Sequence, residues 1–381
     1  MKNSLCEEYG IDFPVFAFTH SPDVVIAVSN AGGMGVLGAS GMTPEDFDKA
    51  MKKITEACPG KSFGVDLILP NNYIGKEEGG MDLASLDKHI PQEHKDFVEK
   101  ILNDHEVGNI DQAVIDSLTV KAGSSVSLKG AQALAEIAFK YPIKIIVNAL
   151  GIFPKEFQEI AHSKGIKTGA LVGQVKHALK QKEAGVDLII AQGYEAGGHT
   201  GDIASMALVP QVVDAVYPTP VLCAGGVADG RQLAAALALG AQGAWTGSVW
   251  LMTKESETHP VVKEKFIKAN SSDTLRSKSS TGKHARQLKS AWTDAWENPA
   301  NPDPLPMPLH GMLIQGAKSR IEEDASKGGQ GGRELINYFV SQTVGMLNEE
   351  RPAADVLKDM VDDCQEVLQK INDPASVNQP S

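Results

Sequence analysis

Short, continuous apolar runs alternate along this chain with longer stretches in which apolar residues recur at helical spacing. The runs fall at residues 13–18, 34–37, 62–68, 143–148, 166–171, 187–192, 220–224 and 243–247. Helical patterns lie between them at 22–30, 43–57, 131–139, 174–184 and 229–239. Thr43 fits an N-cap, with Pro44 in the first helical position and Asp46 three residues past the cap. Strands buried on both faces read as unbroken apolar runs, which is what a parallel sheet covered by helices requires. Eight such strands with intervening helices predict an α/β fold, a (β/α)8 barrel. An open doubly wound sheet is the competing architecture.

Two segments break the repeat. Residues 71–125 are polar and acidic, with Lys76, Glu77 and Glu78 and a second charged stretch at 96–106. They follow the third strand and so are expected over the mouth of the barrel. The rest is everything after Thr253. It holds Trp292 and Trp296 at helical spacing, a proline-rich connector at 298–308 and amphipathic helical stretches to Ile371. The expected division is therefore a barrel from 1–70 and 126–253, with a smaller, mainly helical cap from 71–125 and 254–381. A homodimer contact or a solvated appendage is the alternative for these segments. Residues 372–381 read as a frayed tail.

Composition narrows the function classes. The chain has 381 residues, 42% hydrophobic and 22% charged, the balance of an ordinary globular protein. A net charge of −12 argues against binding nucleic acid or an anionic membrane surface. No apolar run reaches the roughly eighteen residues of a membrane span, and the N-terminus lacks the apolar core of a signal peptide. Cys6, Cys58, Cys223 and Cys364 are scattered without metal-ligand spacing, which suits a reducing, cytoplasmic setting.

The candidate chemistry sits after the apolar runs. Glycines at 193, 197, 198 and 201 surround His199, just past the run ending at Gln192. A glycine-rich loop allows close backbone approach, and histidine titrates near neutral pH. Gly225 and Gly226 follow the seventh barrel strand, and Gly247 and Ser248 follow the eighth. Those two loops are where many such barrels bind phosphate on freed backbone N–H groups. An ordinary pair of βα turns is the bland alternative. The early glycine-rich stretch at 30–35 precedes a strand, the wrong context for a dinucleotide cradle. No histidine pair has metal spacing, no Gly-x-Ser-x-Gly is present, and Cys223 reads as a small core residue. An enzyme without nucleophile, metal or acid pair takes its chemistry from a cofactor.

Taken together, residues 28–35, 63–67, 185–201, 224–230 and 240–243 resemble, in order, the flavin-dependent nitronate monooxygenases, formerly called 2-nitropropane dioxygenases. Glu195-Ala196-Gly197-Gly198-His199-Thr200-Gly201 is the most specific of these segments. The resemblance implies FMN at the barrel mouth under a mainly helical covering domain. It implies oxidation of alkyl nitronates by O2 to a carbonyl compound and nitrite. It makes His199 the active-site histidine, Gly197 and Gly198 flavin neighbours, and Gly225, Gly226, Gly247 and Ser248 the phosphate loops. Gln192 falls where some members carry an aspartate near the flavin.

The chain also departs from that family. Residues 16–20 stand where an Ala-Pro-Met-Ala-Gly segment is usual. Asp66 stands where asparagine is common, and Leu171 where some members present a lysine. An anionic Asp66 beside the ring would oppose flavin reduction by Coulomb repulsion. Two other functions stay open on the residues: a flavin-dependent enoyl-acyl-carrier-protein reductase using NAD(P)H, and a non-catalytic flavin-binding protein. Residues 283–289 are the basic patch the first would need. Phe16, Phe18, His20 and Tyr194 line a substrate pocket or the core.

Overall fold

The computed structural model describes residues 2–69, 88–110 and 128–373. Eight strands close a parallel barrel. In chain order they are β1 (Val15–Thr19), β2 (Met34–Gly38), β3 (Phe63–Leu67), β4 (Ile145–Asn148), β5 (Lys167–Val172), β6 (Leu188–Gln192), β8 (Val221–Ala224) and β9 (Gly243–Thr246). They pair in that order, and β9 closes on β1 through Phe16↔Trp245. Each of the eight lies within or against one of the eight apolar runs, so the expected (β/α)8 barrel is the observed one.

Alternation along the strands separates two cores. Phe16, Met34, Val36, Ile145, Val147, Leu188, Ile190, Leu222 and Trp245 fill the interior. The residues between them, such as Ala17, Leu37, Val65, Ile146 and Ile189, face the surrounding helices. The helix Ser4–Tyr9 plugs the N-terminal end, with Leu5, Cys6 and Tyr9 joined to the interior core. The Tyr9 ring meets Phe16 edge-on at 5.4 Å between centroids. Local signals agree with this frame. The Thr43 side chain accepts from Asp46 N, capping Pro44–Ala57. Asp229 and Gln232 form a capping box on Gly230–Ala238.

Besides the helices expected after residue 253, that region builds a small antiparallel sheet with the loop after β6: β7 (Gly198–His199), β10 (Thr274–Ser277) and β11 (Ala285–Leu288), in the order β10-β11-β7. The strands are two to four residues long, and Arg276, Arg286 and Gln287 lie among them. Such short polar segments carry no apolar run to announce them.

Of the segment at 71–125, residues 88–110 are described; the acidic 76–78 stretch lies outside the described residues. Gln92–Asp104 is a helix joined to the C-terminal third. Phe97 meets Trp296 edge-on at 4.8 Å. Buried Arg320 pairs with Glu99 and donates to the carbonyls of Val107 and Gly108. The last helix, Ala353–Asn372, leaves this group and lies on the barrel wall. There Gly230 is in backbone contact with Asp363 and Cys364, and Gly33 lies against Leu357. The tail from residue 374 lies outside the described residues.

Candidate active site

The C-terminal ends of the strands bring together residues far apart in sequence. Asp66 is the penultimate residue of β3, in register with Gly38 of β2 and Val147 of β4. Val65 and Leu67 belong to the outer core, so the Asp66 side chain points into the barrel. It is 5% exposed, and its Oδ1 is buried without a hydrogen-bond partner. Burial holds its carboxyl well above the usual carboxylate range.

His20 follows β1 and leans on Gly38, whose carbonyl is 2.8 Å from His20 Nδ1. A carbonyl can only accept, so Nδ1 carries the proton and Nε2 is the bare nitrogen of the neutral ring. A Cβ on Gly38 would sit 2.8 Å from both His20 and Phe18, so only glycine admits these rings. Burial lowers the His20 pKa, opposed by the bond to Gly38.

Asn148, at the end of β4, was not anticipated from sequence. It is fully buried; its Oδ1 accepts from Leu69 N at 3.0 Å and Leu150 N at 3.3 Å. Its Nδ2 donates to the Leu150 carbonyl at 3.0 Å. One amide thus fastens the loops after β3 and β4 to each other. A lone asparagine ending an apolar run was the only signal for it.

The loop from Gly193 to Gly201 is built by tight packing. Gly193 N donates to the Ala224 carbonyl at 2.8 Å, and a Cβ there would collide with Ser205 N at 2.5 Å. The Glu195 carboxylate accepts from the backbone N and hydroxyl of Ser205, at the start of the helix Ser205–Val216. Tyr194 has the guanidinium carbons of Arg276 and Arg286 at 4.9 and 4.6 Å from its ring centroid. Gly198 and His199 then pair with Arg286 and Ala285 as β7 against β11. The His199 ring lies edge-on to Phe339 at 6.5 Å. Burial, then the charge of Lys283, pushes its pKa below the ordinary histidine value.

The expected phosphate loops do lie on neighbouring strands, since Ala224 of β8 is in register with Trp245 of β9. Their glycines are not equivalent. Gly225 and Gly226 have φ of +87° and +75°, and a Cβ on either would meet Ala196 or Glu195 at 2.9–3.1 Å. Gly197 is filled in by the backbone of Val340 and Ser341. Gly198 and Gly247 are different: a Cβ on Gly198 meets nothing within 4 Å, and one on Gly247 meets only Phe18 at 3.8 Å. Ser248 Oγ accepts from Ser341 N at 2.8 Å, tying the eighth-strand loop to the C-terminal third. Gln192 ends β6, half-buried, in register with Ala224.

The remaining candidates separate into core and mouth. Phe16 is interior core, whereas Phe18 is half-buried at the mouth, stacked on Trp245 at 5.8 Å. Leu171 packs at the rim of the interior core. Tyr194 is 36% exposed and held by its two arginines. Trp292 and Trp296 are buried in packing. Cys223 is buried, and burial pushes its thiol up to about 12, as suits a core residue rather than a nucleophile. Among the described residues no group of histidine, cysteine or carboxylate side chains is arranged to hold a metal ion. Among them, too, no helix is long and apolar enough to cross a membrane.

Comparison with known proteins places the chain in a family. The family model for nitronate monooxygenase matches residues 2–363. A Mycobacterium tuberculosis protein provisionally named monooxygenase Rv1533 is 49% identical over 363 residues, covering 95% of this chain and 96% of its own. A Bacillus subtilis protein named a probable nitronate monooxygenase is 27% identical, covering 93% and 95%. Nitroalkane oxidase from Streptomyces ansochromogenes shares the fold, with a TM-score of 0.77 at 22% identity over 97% of this chain and all of that one. FabK from Thermotoga maritima also shares it, with a TM-score of 0.71 at 24% identity over 98% and 99%. The chain is an oxidoreductase that belongs to the nitronate monooxygenase family.

Proposed function

We propose that this protein uses FMN to oxidise alkyl nitronates with molecular oxygen, giving a carbonyl compound and nitrite. The family match over residues 2–363 carries the proposal. The barrel mouth fits a flavin on its own terms. Asp66 Oδ1 is a buried polar atom in want of a partner, a Cβ on Gly198 would face open space, and one on Gly247 would touch only Phe18. The loops after β8 and β9 stand side by side, as a phosphate site between two strand ends needs.

In this reading the backbone of Gly225, Gly226, Gly247 and Ser248 holds the phosphate. Asp66, Gln192, Gly197 and Gly198 border the ring. Because Gly197, Gly225 and Gly226 already press on protein, Gly198 and Gly247 make the closest approach. The covering region, drawn from residues 88–110 and those after 253, keeps water from the site. FMN held there would supply the redox chemistry between the substrate and O2.

His199 supplies the acid–base chemistry. Its lowered pKa keeps the imidazole neutral at pH 7, able to take the α-proton of a nitroalkane. The nearby positive charge of Lys283 favours the nitronate anion that results.

The purified protein tests this directly. Flavin absorption bands, with oxygen uptake and nitrite release on adding propionate 3-nitronate, are the expected result. A yellow protein inert to nitronates but bleached by NADPH would replace this reading with a reductase. A protein that takes up no FMN would overturn the cofactor assignment.

A further inference from the structure

Asp66, near the C-terminal end of β3, has a buried Oδ1 with no hydrogen-bond partner. No cation pairs with it among the described residues. The groups facing it from neighbouring elements offer none. On β2 it meets Gly38, which has no side chain, and on β4 Val147. His20 stands behind Gly38 with its Nδ1 proton committed to the Gly38 carbonyl. Asn148 spends its amide on the loop backbone of residues 69 and 150. An ionised carboxylate held here would forfeit hydration with nothing in return. A protonated one is tolerable, yet its O–H then needs an acceptor. None comes from the described protein, which leaves the O–H available to a ligand seated at the mouth.

We propose that Asp66 works as a neutral acid, donating its O–H to a carbonyl or ring-nitrogen acceptor of the bound flavin, rather than standing as an anion beside the ring. This rests on the FMN assignment above and extends it. Carboxylic acids kept neutral in apolar sites do serve as hydrogen-bond donors. It also resolves the conflict that the sequence raises: a neutral Asp66 does not repel the electron-rich reduced ring, and it mimics the amide donor of an asparagine.

Infrared difference spectroscopy on the whole protein, with and without FMN at pH 7, reads this without turnover. The expected result is a protonated-carboxyl stretch in the FMN-free protein that shifts when FMN is added and is missing in Asp66→Asn. If that variant does not fold, the FMN-induced shift in the wild type decides alone. Asp66→Asn should leave the flavin midpoint potential near that of the wild type at pH 7. Asp66→Leu should weaken FMN binding about tenfold, the worth of one hydrogen bond. Retained FMN with no carboxyl band, or a potential that rises sharply in Asp66→Asn, would show an ionised Asp66 and overturn the proposal. A carboxyl band that FMN does not shift would overturn the donor role. Failure to retain any flavin would instead sink the cofactor assignment, and this proposal with it.

Discussion

The Arg286 guanidinium donates from Nε and Nη2 to the Tyr194 carbonyl at 3.2 and 3.1 Å, while the Arg286 backbone pairs with Gly198. One residue therefore closes both ends of the loop that delivers His199. Its Nη1 is anchored on Thr274 Oγ1, and the side chain is only 2% exposed. A guanidinium suits this post because its planar fork makes two bonds to one carbonyl while stacking on the Tyr194 ring.

Arg286→Ala should destabilise the protein by about 2–3 kcal/mol, the worth of charge-assisted bonds lost in a buried site. Turnover should fall further than stability alone explains, because His199 loses its fixed place. Arg286→Lys keeps the charge but not the fork, and should recover part of the stability and little of the rate. Denaturant titration beside steady-state kinetics checks both. Equal loss of rate in Lys and Ala variants with full stability in the former would isolate positioning.

Asn148→Ala removes the link between the loops after β3 and β4. It leaves the buried Leu69 N–H without its acceptor, at a cost of about 1–3 kcal/mol. Because Asp66 lies three residues before Leu69, FMN affinity should fall as well. Urea unfolding and flavin titration of the variant measure the two effects, and an unchanged unfolding midpoint would remove Asn148 from the scaffold.

The pH dependence of nitroalkane oxidation should report His199. In the proposed reaction the base is the neutral imidazole, whose folded pKa lies below the ordinary 6.5. The acidic limb of log(kcat/KM) should therefore lie at lower pH than an ordinary histidine would give. Lys283→Gln removes a charge that helps hold this pKa down, so the acidic limb should move upward. A limb unmoved by that substitution would mean another group titrates.

His310 gives a stability prediction. It is fully buried, Nε2 donates to the Ser279 carbonyl at 3.0 Å, and Nδ1 has no partner. Burial lowers its pKa from 6.5 to about 4. The unfolded chain thus binds this proton first as pH drops. The stabilisation is whole above pH 6.5 and is lost between there and about 4, up to about 3 kcal/mol. His310→Gln should narrow the gap between stabilities measured at pH 7 and pH 4.5. An equal gap in both proteins would contradict this.

The barrel was legible in the sequence because each of its strands is buried on both faces and reads as an apolar run. The loops after β6, β8 and β9 were legible because glycines cluster there. β7, β10 and β11 were not, since a two-residue strand and Thr-Leu-Arg-Ser leave no periodicity to detect. Arg286 and Asn148 were invisible for another reason. Their partners lie 92 and 79 residues away, so no local pattern marks them. Asp66 was noticed only as a departure from a resemblance; its isolation inside the barrel is a property of the fold.

The central claim is that His199, at the end of the loop that Arg286 closes, serves an FMN-bound site that oxidises nitronates and their parent nitroalkanes. The most direct measurement is oxygen uptake with nitrite release for the wild type and His199→Asn, at equal FMN occupancy, on a nitroalkane and its nitronate. The wild type should turn over both substrates, and the variant should lose about a hundredfold or more on the nitroalkane while losing less on the nitronate, which needs no proton removed. Unchanged turnover of both substrates by the variant, or no nitrite from the FMN-loaded wild type, would contradict it.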